Sequence, residues 1–173
     1  MTHLDWLVLD ATADDFESIV QIADSVRCDL PQISRAELAR HIIELLRDGF
    51  LQQLESDEIS LEDLVRVPER LQPPFWFGMT ARGAEAWERC AKEFDSEPPD
   101  WSRAYACCFD FATLRGHCDG VSREVCLSAI RNSRDHAAVR EETFRFESID
   151  SFNAKYYKRI KGGVRVSFDL TTP

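Results

Sequence analysis

Two pieces of sequence, SRAELARHIIELLRDGF (residues 34–50) and WFGMTARGAEAW (residues 76–87), decide the fold of the chain that contains them. Ser34 is a good helix N-cap, and Glu37 stands three residues later in the capping-box position. Leu38, Ile42, Leu45 and Leu46 recur at steps of three and four and form an apolar stripe. Arg35, Glu37, Arg40, His41, Glu44 and Arg47 fall on the other side. Gly49 ends the helix, where left-handed geometry costs glycine little. Residues 50–54 read as a short strand. Residues 55–69 are acidic and irregular, with one helical turn at 61–65. Pro73 and Pro74 lead into an aromatic strand over 75–80. Thr80 is placed to cap a helix running to about residue 94, with Ala84, Trp87, Cys90 and Ala91 turned inward.

Upstream, Leu4, Leu7 and Val8 share one helical face over residues 2–10, with Trp6 and Leu9 beside it. Thr12, Asp14 and Asp15 offer caps for a second helix over 14–27. Its stripe is Phe16, Ile19, Val20, Ile22, Ala23 and Val26. Residues 28–33 break the chain, because Pro31 forces Leu30 out of helical geometry. The order is helix, helix, helix, strand, acidic loop, strand, helix.

In that order the chain resembles the winged helix-turn-helix superfamily. Met79-Thr80-Ala81-Arg82-Gly83 matches the Leu-Thr-x-x-Gly-type motif that ends the wing strand and enters a helix. Arg47-Asp48-Gly49-Phe50-Leu51 matches the helix exit. The resemblance covers about residues 3–95. It implies that 34–47 is the recognition helix and the acidic loop the wing, with DNA or another protein as partner.

The sequence Glu-Pro-Pro-Asp at 97–100 cannot continue a helix and marks a linker between domains at 1–96 and 101–173. Beyond it, residues 103–114 alternate, with Tyr105, Cys107, Phe109 and Phe111 on one face of a long strand. Residues 116–120 read as a turn. Ser122 caps a helix to about 133, with Val125, Cys126, Ala129 and Ile130 inward. A strand covers 142–148, where Phe144 and Phe146 alternate with Arg145 and Glu147. Residues 154–161 and 164–170 read as a hairpin turning at Gly162-Gly163, with Val164, Val166 and Phe168 on one face. The expected class is therefore α+β: a winged helix-turn-helix unit followed by a small β-α-β-β-β unit.

Charge is unevenly spread along the 173 residues. Residues 1–96 hold nine Lys and Arg against twenty Asp and Glu, a balance of −11. Residues 97–173 hold twelve against eleven, or +1. Affinity for DNA comes largely from neutralising phosphates, and a domain at −11 repels a polyanion at long range. The expected partner is therefore another protein, with DNA disfavoured by charge. The candidate partner or nucleic-acid surface is Arg35, Arg40, His41 and Arg47 on the third helix, with Lys155, Tyr157, Lys158, Arg159 and Lys161 near the C-terminus. Tyr156 and Arg165 extend this second strip, which suits stacking on bases or gripping an acidic partner. The same lysines also suit an edge hairpin that resists further pairing, or a strip that docks on the acidic domain.

No catalytic motif or cofactor fingerprint is present, and none is assigned. Cys107, Cys108, His117, Cys118, Cys126 and His136 fall within thirty residues, but without the paired C-x₂₋₄-C spacing of zinc sites. Buried thiols account for most of them. A remote alternative is a thiol- or zinc-dependent enzyme built on Cys118 and His117. Six irregularly spaced cysteines, no apolar run of membrane-spanning length and an acidic N-terminus without a signal pattern point to the cytoplasm. The resulting expectation is a non-enzymatic cytoplasmic regulatory or protein-interaction protein. A DNA-binding transcriptional regulator is the alternative.

Overall fold

The computed structural model describes residues 1–54, 59–66 and 75–172. Most of the acidic loop, including Glu55, Asp57, Glu58, Glu69 and the Pro73-Pro74 lead-in, lies outside the described residues. The chain is mixed α and β and divides into two units, Met1–Pro99 and Asp100–Pro173. No described helix is long and apolar enough to cross a membrane.

In the first unit, helix α1 (His3–Ala11) opens with a complete capping box. Thr2 Oγ1 accepts from the Asp5 N–H at 3.1 Å, and Asp5 Oδ2 accepts from the Thr2 N–H at 2.7 Å. The second helix starts later than its apolar stripe predicts. Residues 14–16 are not helical; strand β1 (Glu17–Ser18) precedes α2 (Ile19–Asp29). The reason is local. Ser18 and Gln21 form the capping box that Thr12 and Asp14 do not, and the Thr12 hydroxyl instead donates to Leu9 O at 2.9 Å, closing α1. Ser34 caps α3 (Arg35–Arg47) by accepting from the Glu37 N–H at 3.2 Å. Gly49, at φ +73°, turns the chain into β2 (Leu51–Gln53). Then come α4 (Leu61–Arg66), β3 (Trp76–Met79) and α5 (Ala81–Cys90), which runs on as a 3₁₀ turn, Ala91–Phe94.

β3 lies between β1 and β2 in an antiparallel sheet, with Phe77 opposite both Glu17 and Gln53. Val8, Leu9, Ile19, Ile22, Leu38, Ile42, Phe77 and Met79 are fully buried around it. Trp87 ties the two ends of the unit together. Its carbonyl accepts from Trp6 Nε1 at 3.1 Å, and its own Nε1 donates to Asp10 Oδ1 at 3.0 Å.

The second unit departs from the β-α-β-β-β expectation in two places. Its described order is β4 (Tyr105–Asp110), β5 (Arg115–Gly120), α6 (Arg123–Asn132), β6 (Val139–Ser148), β7 (Ser151–Lys155), β8 (Lys158–Lys161) and β9 (Val164–Leu170). The alternating run 103–114 is not one strand. It reverses after Asp110, whose Oδ1 accepts the N–H groups of Ala112 and Thr113, and Leu114 takes φ +54°. The segment 116–120 is consequently strand, not turn. The second departure is at Gly162-Gly163. β8 pairs with β7 around Tyr156-Tyr157, and the two glycines carry the chain onward to β9.

β9 pairs with β5 on one side and β6 on the other, giving the antiparallel order β4-β5-β9-β6. One face packs against α6 through Cys118, Val166, Phe168 and Leu170, with Cys126, Ala129 and Ile130 from the helix. The opposite face is polar, because side chains alternate along a strand.

Candidate functional site

The sequence-predicted surface residues are divided between the two units and differ in their surroundings. On α3, Arg40 and Arg47 are exposed. Arg47 lies 3.5 Å from Asp48, and Arg40 has no ion pair among the described residues. Arg35 is half-buried, with Nε and Nη2 shielded and without a hydrogen bond among the described residues. His41 does not belong to the surface. Its Nδ1 sits 2.7 Å from Asp5 Oδ1 in a half-buried contact that fixes α3 to α1.

Burial pushes the Asp5 carboxyl up, but the Thr2 N–H and the His41 ring outweigh it and hold the group below its ordinary range. A carboxyl depressed by folding contributes stability above its unfolded pKa and loses it as pH falls through the folded value. Asp5→Asn should lower unfolding stability by about 1.5 kcal/mol at neutral pH, the worth of a hydrogen bond to a charged group. The deficit should shrink below about pH 4, where the unfolded carboxyl is protonated. Urea titrations at neutral and acidic pH read both.

The C-terminal strip is divided between two faces. Arg159 and Lys161 are exposed, and Arg159 donates from Nε and Nη2 to Ser151 Oγ at 2.9 and 2.6 Å. The Lys158 ammonium instead lies 4.9 Å from the centre of the Trp101 ring. Lys155 and Tyr157 are half-buried near the turn. Arg165 belongs to β9 and joins a different cluster.

Cys118 and His117 do not form a thiol–imidazole pair. His117 and Cys118 are consecutive on β5, so they face opposite sides of the sheet. Cys118 is fully buried beside Cys107 and Cys126. Hydrogen bonding to these two thiols, with burial, pushes its own thiol strongly up, which leaves it an inert core thiol. No described group of His, Cys, Asp and Glu is arranged to hold a metal ion.

The register instead assembles a polar site on the face away from α6. One row across the strands is Cys108, His117, Ser167 and Arg145; the next is Asp110, Arg115, Asp169 and Arg140; a third holds Asp119, Arg165 and Glu147. All of these except Asp119 and Arg140 line a groove of about 430 Å³. Asp119 is 7% exposed and both its oxygens are taken by Arg165, from Nε at 2.7 Å and Nη2 at 2.8 Å. This bidentate pair fixes Arg165, which lines the groove. Asp110 is likewise held by its own turn, with Thr113 Oγ1 donating to Oδ2 at 2.7 Å.

Read as one strand, residues 103–114 hide this groove, because a single strand never brings Cys108 opposite His117. The available signal was the alternation opposite the apolar positions: Arg115, His117 and Asp119 against Arg165, Ser167 and Asp169. Comparison of the chain with protein-family models, with curated proteins and with solved structures finds no significant match to any of them.

Proposed function

We propose that the first unit is a winged helix-turn-helix scaffold and that the chain is a non-enzymatic, cytoplasmic regulatory protein that uses it to bind another protein. The scaffold reading draws support from the element order α1-β1-α2-α3-β2-α4-β3-α5, with β3 between β1 and β2. It draws further support from Thr80, which caps α5 at the position the wing motif gives it. Six unpaired thiols suit a reducing compartment.

The choice of a protein partner rests on one observation, the composition of the outward side of α3. Arg40 and Arg47 stand there beside Glu37 and Asp48, His41 is withdrawn to Asp5, and the surrounding 96 residues carry −11. Two arginines in that field neutralise few phosphates. A mixed face of this kind is instead suited to charge-complementary contact with another protein.

Arg40→Glu should weaken binding to the cognate protein by about tenfold or more, the effect of losing one interfacial charge pair. A pulldown with the purified partner, followed by titration, measures it. A mobility-shift titration with duplex DNA at low salt should show no retention. Retention that weakens steeply with salt would replace this reading with the DNA-binding regulator.

A further inference from the structure

Within the groove on the second unit, the side chains of Arg115, His117, Arg145 and Ser167 stand without a hydrogen bond or ion pair among the described residues, as do the Asp169 carboxylate and the Cys108 thiol. Other arginines of this sheet are engaged. Arg165 is clamped on Asp119, and Arg140 Nε donates to Glu142 Oε1 at 2.9 Å. Arg115 and Arg145 come from β5 and β6, on either side of β9, and are offset by two residues in register. Two strand spacings and two residue rises place their backbones about 12 Å apart. Two arginine side chains can close that span from both ends on a ligand of a few carbon atoms. Ser167 and His117 lie between them in the rows and add polar contacts to the floor.

The acids of the groove restrict what enters. Asp110 is satisfied by its own turn, and Glu147 Oε1 lies 4.0 Å from Arg165 Nε. Asp169, opposite Arg115, remains. Their charges repel an extended polyanion, while two planar guanidinium forks match two oxyanion groups.

We propose that this groove binds a small organic dianion, one carboxylate or phosphate group on Arg145 with Ser167 and the other on Arg115. The site is independent of whatever the first unit binds. Cys108 is exposed on the same row and lines the groove, so it reports occupancy.

The test is the rate of Cys108 alkylation by iodoacetamide in the full chain, followed by peptide mass mapping. Succinate and propane-1,3-diol bis(methyl phosphate), each carrying two separate anionic groups, serve as dianionic probes and acetate as the monoanion. Exposed Cys28 is the internal reference, and alkylation of buried Cys118 would report unfolding. The expected result is saturable slowing at Cys108, and not at Cys28, by one or both dianions. Arg115→Gln and Arg145→Gln should each weaken that protection by about tenfold or more, and Arg134→Gln, outside the groove, should leave it unchanged. The dianion that protects identifies carboxylate or phosphate as the preferred group. Absence of protection by either dianion at millimolar concentration overturns the proposal. So does equal protection by acetate, or an equal loss in Arg134→Gln, which would make the effect one of diffuse charge.

Discussion

Gly83→Ala should destabilise the N-terminal unit by about 3 kcal/mol, at the upper end for overpacking, because the obstacle is backbone. A Cβ at Gly83 would sit 2.1 Å from the carbonyl oxygen of Phe50 and 2.9 Å from Met79 Cγ. That carbonyl is not free to move. It accepts from the Thr80 N–H at 3.0 Å, and the Thr80 hydroxyl lies 2.7 Å from Gly49 O and 3.2 Å from Phe50 O. The same hydroxyl accepts from the Gly83 N–H at 3.0 Å, so one threonine caps α5 and fastens the exit of α3 to it. The Thr-x-x-Gly spacing therefore has a mechanical meaning in this chain: the threonine makes the clasp, and the glycine lets the two backbones touch. Helix propensity pulls the other way, since alanine is favoured over glycine by about 1 kcal/mol in a helix interior, and less in a first turn. The clash is the larger effect. Urea unfolding followed by tryptophan fluorescence reads the unit directly, because Trp6, Trp76 and Trp87 lie in it and Trp101 in the other. A stabilised Gly83→Ala protein would mean that the contact relaxes and that the motif reflects propensity alone.

That clasp also explains which features could be read from sequence. Ser34, Gly49 and Thr80 act through their own neighbours. A cap bonds a backbone group three residues away, and a left-handed residue needs only its own φ angle. Such signals survive without knowledge of the tertiary fold. The start of α2 shows the limit of this locality. Thr12, Asp14 and Asp15 are all competent caps, and Ser18 prevailed with its Gln21 box and with Glu17 and Ser18 engaged by β3, a strand nearly sixty residues downstream. The sequence between gives no sign of that pairing.

The same reasoning accounts for the missed groove. Alternation reports which face of a strand is apolar, but it does not report where a strand ends. Residues 105–111 alternate straight into a reversal that contains no glycine, and whose tight residue is Leu114. Once the reversal is missed, every partner after it is misassigned, because a one-residue error in register exchanges the two faces. The sequence thus pairs His117 with Cys118, its neighbour in the chain, whereas its neighbour across the sheet is Cys108. Glycine added to the error. Gly116 and Gly120 resemble turn residues, yet both are in β5.

Gly116 is in the strand because of Phe168, and the pair gives the largest expected effect in the C-terminal unit. Phe168 is 2% exposed and its ring packs against Phe109 and Phe144, with centroids at 5.4 and 6.0 Å. A Cβ on Gly116, directly opposite in the β5–β9 register, would lie 2.3 Å from that ring. Phe168→Ala removes the ring and leaves a cavity bounded by two other phenylalanines and the sheet, at a cost of about 4 kcal/mol. Gly116→Ala should cost less, about 2 kcal/mol, because the ring can shift partly, although Cys108 O at 2.9 Å limits the adjustment. The two sites are in contact, so their effects should not add. In a Phe168→Leu background, the smaller side chain leaves room for the methyl, and Gly116→Ala should then cost clearly less than it does alone. A double-mutant cycle by urea denaturation measures that difference. Simple additivity would show that Gly116 is there for the strand's own geometry and not to seat the ring.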